Sequence, residues 1–261
     1  MEKGDYKQLL DMAVLAGEVM LRSGAETYRV EDTMDRILQT SELEKIEAFA
    51  LMTGIVVTLD GAKLEHPLTV MKRVSDRSTN LNNLIKANDI SRKYCEGKLT
   101  LSEAYEKLQK VKEKQYSRTI YNLATVGVAA GFAIMFGGST LDVAIATIVG
   151  LLLATVTTLG KVFKIHSILV DILSGITIAV LTIAFKTFAF LQIDMDIIIV
   201  SAIMPMVPGV AITNAIRDTL HGDYLSGSAR VLEAFLKAAS IALGVGVGMA
   251  LFGMMMGRSV L

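Results

Sequence analysis

Charge leaves this chain abruptly, and that limits what it can fold into. Of its 26 Lys and Arg and its 26 Asp and Glu, 19 of each lie in residues 1–118. Only 7 of each remain for the 143 residues that follow. A long, nearly charge-free stretch cannot be a water-exposed surface, whereas a charge-rich one can, so the chain reads as a soluble part followed by a membrane part. Five apolar segments can be drawn in the second part: residues 120–136, 141–159, 167–185, 197–216 and 231–256. Each is near the roughly 20 residues that a spanning helix needs. Lys112, Lys114 and Arg118 precede the first segment, Lys161 and Lys164 lie between the second and third, and Arg217 and Arg230 lie between the fourth and fifth. The other side has only Lys186 and Arg258. Because Lys and Arg concentrate on the cytoplasmic side, this predicts a cytoplasmic N-terminal part, five spans and an outside C-terminus in the inner membrane. The expected architecture is a small α+β cytoplasmic domain, residues 1–118, followed by an all-α polytopic membrane domain of five transmembrane helices, residues 119–261.

Several classes fall away. Both parts are formally neutral, which argues against nucleic acid as a partner. One cysteine, Cys95, excludes an internal disulfide and a CxxC site, and reads as a half-buried helix residue. His66 stands beside Pro67 without a second ligand at metal spacing, so no metal site and no cofactor are expected. The N-terminus has no basic segment leading into an apolar run, so no cleaved signal peptide is expected.

The soluble part shows helix and strand periods. Leu9, Met12, Ala13, Ala16, Val19 and Met20 share one helix face, and Gly24 is a stop signal. A second helix carries Val30, Met34, Ile37 and Leu38 on one side, with Glu31, Asp32, Asp35 and Arg36 largely on the other. Residues 49–59 read as one strand ending at the hairpin signal Asp60-Gly61, and residues 68–74 as a second strand. Helices follow at 80–95 and 101–111, the first closed by Gly97 and the second opened by a Thr100/Glu103 capping box. The densest polar cluster is residues 23–32, Ser-Gly-Ala-Glu-Thr-Tyr-Arg-Val-Glu-Asp, in which Glu26 and Arg29 can pair across one turn. It reads either as a polar lining for a ligand or partner or as a solvated helix start, and the ordinariness of such pairs favours the second.

Two of the three prolines, Pro205 and Pro208, fall inside the fourth apolar segment, followed by Gly209. Proline removes a backbone donor and clashes with the preceding turn, so the helix must be interrupted there. Lipid tolerates freed backbone only where it is buried in protein or lines a polar cavity, and broken helices recur at transport sites. The bland alternative is a kink or a membrane-boundary turn. Asn214, Arg217 and Asp218 follow the break. Arg217 suits a forked pair with a substrate carboxylate, or equally a positive-inside anchor. Asp171, one turn inside the third segment, suits a proton carrier, or equally an interfacial pair with Lys164. Asp142 starts the second segment and reads as a helix cap. Gly127 with Gly131 and Gly244 with Gly248 have close-packing spacing. His221 and Asp223 look too isolated for a metal site.

At these residues the sequence resembles the threonine/serine exporter family over nearly its whole length. The resemblance is carried by Ser23-Gly-Ala-Glu-Thr-Tyr-Arg29 with Val30-Glu31, by Phe136-Gly-Gly-Ser139, by Val207-Pro-Gly209, by Thr213-Asn-Ala-Ile-Arg-Asp218 and by Gly222-Asp223. It implies export of small carboxylate-bearing solutes, threonine and serine or a dicarboxylate such as succinate, driven by the proton-motive force. On that reading Pro205, Pro208, Gly209, Asn214 and Arg217 bind substrate, Asp171 couples protons, and Glu26 and Arg29 form a polar cluster in the domain. Family members carry about twice as many spans, so the chain resembles the longer half of a split exporter. A second small polytopic membrane subunit is then the expected partner, besides substrate and lipid. The family's N-terminal domain has been likened to hydrolases, and a membrane-anchored enzyme or sensor is the alternative, but no nucleophile–base pair supports it.

Overall fold

The computed structural model describes residues 3–75, 77–111, 116–188 and 192–256. Lys112, Lys114 and Arg258, which enter the topology count, lie outside the described residues. The chain divides into two compact units, one of Met1–Glu113 with Gly209–Leu232, the other of Lys114–Pro208 with Glu233–Leu261. Residues 209–232, placed in the membrane part by hydropathy, thus have their contacts with the N-terminal segment.

In the first unit, α1 (Lys3–Arg22) runs through the core, with Leu9, Met12, Ala13, Ala16 and Met20 fully buried. It ends at Gly24, whose φ of +86° is readily adopted only without a Cβ. Helix α2 (Thr27–Gln39) buries Val30, Met34, Ile37 and Leu38 as one stripe. Three antiparallel strands follow in the order β1 (Lys45–Leu51), β2 (Gly54–Asp60) and β3 (Leu68–Arg73). The single strand expected at 49–59 is therefore two. Leu51 pairs with Gly54, so the hairpin turns at Met52-Thr53, held by Arg77 Nη1 donating to Met52 O at 3.0 Å and Val74 N donating to Thr53 O at 2.9 Å. Asp60-Gly61 instead opens the longer link to β3. Ile55, Val57 and Leu59 of β2 are fully buried. Helices α3 (Leu81–Cys95) and α4 (Leu101–Val111) complete the N-terminal part, with Gly97 at φ +71° and the Thr100/Glu103 capping box in place. Cys95 is exposed at the end of α3 and not half-buried. Helix α9 (Gly209–Leu220) and the first turns of α10 (Tyr224–Met256) also belong to this unit.

The second unit holds α5 (Arg118–Met135), α6 (Thr140–Val162), α7 (Ser167–Phe188), α8 (Met195–Ile203) and the rest of α10. Among the described residues, four helices are long and apolar enough to cross a membrane, and five if Met195–Met206 with Gly209–Leu220 counts as one interrupted span. The core is aliphatic: Ile145, Val149, Leu153, Ile178, Ile198 and Ala202 are buried together. Ser139 and Asp142 make a reciprocal capping box at the start of α6, and Asp142 Oδ1 also accepts from the Asp194 amide at 2.8 Å. Small residues bring α7 and α10 close: a Cβ on Gly244 would lie 2.2 Å from Ile172 O, and one on Gly175 2.6 Å from Ile241 O. Gly127 and Gly131 meet nothing within 4 Å of their Cβ positions; the close approach of α5 is made by Ala129, 3.0 Å from a Cβ on Gly150.

Candidate functional site

The polar site lies in the first unit, at the start of α2. The four leading amides of a helix have no intrahelical partner. Glu26 occupies the capping position but makes no side-chain cap. That task falls to Asp218 of α9, whose Oδ1 accepts from Thr27 N and from Thr27 Oγ1, both at 3.0 Å. A buried anion at a helix N-terminus meets both the free amide and the positive end of the helix dipole.

A buried carboxylate needs more than a dipole. Asp218 is wholly buried, and Arg230 Nε of α10, itself 7% exposed, lies 2.8 Å from Asp218 Oδ2. This is a charge contact, not an aligned hydrogen bond. Arg230 Nη2 donates to Ala25 O at 2.7 Å, and Asn214 Nδ2 donates to Gly24 O at 2.6 Å. Three side chains of residues 209–232 thus grip Gly24, Ala25 and Thr27. Met52 N donates to Ser226 Oγ at 3.3 Å, and the Tyr28 and His221 rings stack with centroids 3.9 Å apart.

Glu26 is buried beside two cations. Arg217 Nη1 lies 2.5 Å from its Oε1, and Arg29 Nη1 lies 3.4 Å from its Oε2. Burial opposes ionisation of Glu26, but its backbone hydrogen bond, the Arg217 hydrogen bond and the charges of Arg29 and Arg217 outweigh it, holding the carboxyl below its ordinary value. Glu31, one turn on, accepts from Ala50 N at 2.8 Å. Burial, joined by the charges of Asp223, Asp35 and Asp218, pushes its carboxyl up.

Of the residues singled out by sequence, Glu26, Arg29, Asn214 and Arg217 are brought together here. The solvated-start reading of residues 23–32 is overturned, since Ser23, Glu26 and Thr27 are at most 3% exposed. Pro205 lies in a single 3₁₀ turn, Met204–Met206, with Pro208 two residues beyond it, both in the second unit; Gly209 opens α9. Asp171 lies on α7, and its charged neighbour is Lys237 of α10; among the described residues it makes no ion pair with Lys164. Thr27, Asp218, Asp223 and Arg230 carry the site's geometry and were not singled out as a group. Thr27, Asp218 and Asp223 were signalled only by membership in the motif segments and Arg230 only by the Lys and Arg count, because a contact across about 190 positions has no period in sequence. No group of three His, Cys, Asp or Glu suited to a metal ion occurs among the described residues.

Comparison with known proteins is consistent along the chain. Residues 11–252 match the family described as "Putative threonine/serine exporter". Over 243 residues the chain is 24% identical to a probable threonine/serine exporter of Mycobacterium tuberculosis, covering 92% of this chain and 45% of that protein. It is 25% identical over 259 residues to a threonine/serine exporter of Corynebacterium glutamicum, covering 95% and 52%. An uncharacterized protein of Schizosaccharomyces pombe is 22% identical over 264 residues, covering 96% and 31%. The chain therefore spans about half, or less, of the length of these relatives. No solved structure matches it.

Proposed function

This chain belongs to the threonine/serine exporter family, and on that premise we propose that it is one subunit of a secondary exporter of small carboxylate-bearing solutes. The family and the apolar helices make it a multi-pass membrane protein. The solutes are threonine and serine, or a dicarboxylate such as succinate, and the proton-motive force drives their export. The N-terminal domain is cytoplasmic and the C-terminus outside, following the Lys and Arg count.

The observation that carries this reading is the interruption of the fourth apolar segment at Met204–Gly209. Helical bonding stops at the 3₁₀ turn and resumes at Gly209, with Pro205 and Pro208 in between. Freed amides and the positive start of a half-helix suit an anionic group, so the substrate carboxylate binds at Pro205, Pro208 and Gly209. Arg217, on the helix that follows, is half exposed even while paired with Glu26 and can share its guanidinium with a second carboxylate. Asn214 fixes that helix to the Gly24 carbonyl. Asp171 is the in-span proton carrier.

Relatives about twice as long supply the argument for a partner. A second small polytopic membrane subunit takes the place of the remaining length, and the exporter is complete only with it. The test is counterflow of labelled threonine, serine and succinate in proteoliposomes, with and without that subunit. Replacing Pro208-Gly209 by Ala-Leu abolishes flux while membrane insertion persists; unchanged flux in that variant would sink the assignment.

A further inference from the structure

Between α2 and α3 of the first unit lies a pocket of about 350 Å³, near the lower end of the roughly 300–1,000 Å³ of small-molecule clefts. Such clefts are mostly lined by apolar side chains. This one is polar throughout, which suits a small charged solute. Asp32, Thr33 and Arg36 line it from α2. Asn88, Ser91 and Arg92 line it from α3, with Cys95 and Glu96 where that helix ends. Thr33 and Ser91 are buried and form the floor.

The lining has hydrogens to give and few acceptors left to take them. Arg36 engages only its Nε, which donates to the two oxygens of Asp32 at 3.0 and 2.9 Å. The hydrogens on its two terminal nitrogens are free. Among the described residues, the Arg92 side chain makes no hydrogen bond or ion pair, and the charge it meets is that of Glu96. Both carboxylates of the lining are engaged: Asp32 by Arg36, and Glu96 by Lys98 Nζ at 2.6 Å. Ser91 Oγ donates its hydrogen to Asn88 O at 2.9 Å. Each wall thus offers one guanidinium with hydrogens to donate, and neither offers a free anion to a cation. A planar guanidinium matches a carboxylate with two parallel hydrogen bonds.

We propose that this pocket binds a small dicarboxylate, with one carboxylate on Arg36 of α2 and the other on Arg92 of α3. An amino acid binds less well, because its ammonium group meets two guanidiniums and no free carboxylate. A monocarboxylate satisfies one wall only. The pocket uses none of the residues assigned to transport above, and binding to it does not rest on the exporter reading.

Cys95 reports on the pocket. It is the chain's one cysteine, it is exposed, and its Sγ on the α3 side lies 3.5 Å from Arg36 O on the α2 side. The purified full-length chain in detergent is labelled with a neutral maleimide at neutral pH, with ionic strength held constant by potassium chloride so that screening is the same in every sample. Succinate slows labelling and the effect saturates; threonine, propionate and inorganic phosphate act only at much higher concentration. In R92Q the succinate needed for the same protection rises by about tenfold or more, the effect of losing a hydrogen bond to a charged group. R73Q, altered at an exposed position of β3, is protected as the wild type is. Calorimetric titration of succinate into the wild type and R92Q gives the same ranking without the thiol. No slowing by succinate, equal slowing by any of the other three solutes, or equal succinate affinity in R92Q overturns the proposal. Absence of threonine, serine and succinate counterflow counts against the exporter reading, and the labelling result still decides the pocket.

Discussion

Glu26 and Arg217, separated by 191 positions, meet as an ion pair in which the carboxylate is buried and the guanidinium half exposed. The carboxylate also receives Arg29 from one turn along its own helix. The exposed side of the pair is weakened by water and salt, so its value lies in giving a buried anion a partner. It ties the helix after the proline break to the start of α2.

Replacing Glu26 by Gln lowers the melting temperature at neutral pH by about 2–4 °C. The folded carboxyl lies below its ordinary value of 4.5, so its stabilisation is present above that value and lost as pH falls through the folded one. Wild type and E26Q therefore converge in melting temperature under strongly acidic conditions. A constant difference down to that range contradicts the pairing.

Arg230→Ala leaves Asp218 buried without its cation. Removing one partner of a buried pair costs about 3–5 kcal/mol. The expected result is exposure of the N-terminal domain to protease under conditions where the wild type resists. The double variant Asp218→Leu with Arg230→Met recovers part of that loss, but not the cap on α2, worth about 0.5–2 kcal/mol. Chemical unfolding followed by tyrosine fluorescence measures both.

Glu31→Gln acts in the opposite sense. Burial and the charges of Asp223, Asp35 and Asp218 raise the folded carboxyl above 4.5, so ionising it costs stability as pH rises past that value. Gln keeps an oxygen for the Ala50 amide and removes the charge. E31Q melts above the wild type at neutral pH, and the advantage vanishes below about the ordinary glutamate value. An equal or lower melting temperature at neutral pH refutes the crowding of anions at this site.

In the second unit, Gly244→Leu and Gly246→Leu should part company although they sit two residues apart. A Cβ at 244 meets Ile172 O at 2.2 Å, whereas one at 246 meets nothing within 4 Å. G244L forces α7 and α10 apart and is lost as a monodisperse peak in detergent chromatography. G246L elutes as the wild type does.

The legible parts of the fold are those with a period or a local signal. The α2 stripe of Val30, Met34, Ile37 and Leu38, the Thr100/Glu103 box and the Ser139/Asp142 cap all depend on residues a few positions apart. The β1–β2 hairpin was misread because residues 49–59 are mostly apolar or β-branched, and Asp60-Gly61 is a stronger turn pattern than Met52-Thr53. Only pairing of Leu51 with Gly54 distinguishes the two. Gly127 and Gly131 match a packing pattern yet face nothing among the described residues, since spacing says which helix faces can approach and not which partner is there.

By itself, the sequence determined that the charged part must meet water, that the later part carries segments apolar enough to cross a membrane and that the helix at Pro205 and Pro208 must break. Each follows from the transfer cost of a charge or from a missing amide hydrogen, and neither depends on distant residues. Tertiary structure alone decided that Asp218 caps α2, that Arg217 answers Glu26 and that Thr27 stands between two carboxylates. Those contacts join residues about 190 positions apart. Burial then turns an ordinary surface pattern into a network whose charges and hydrogens must balance.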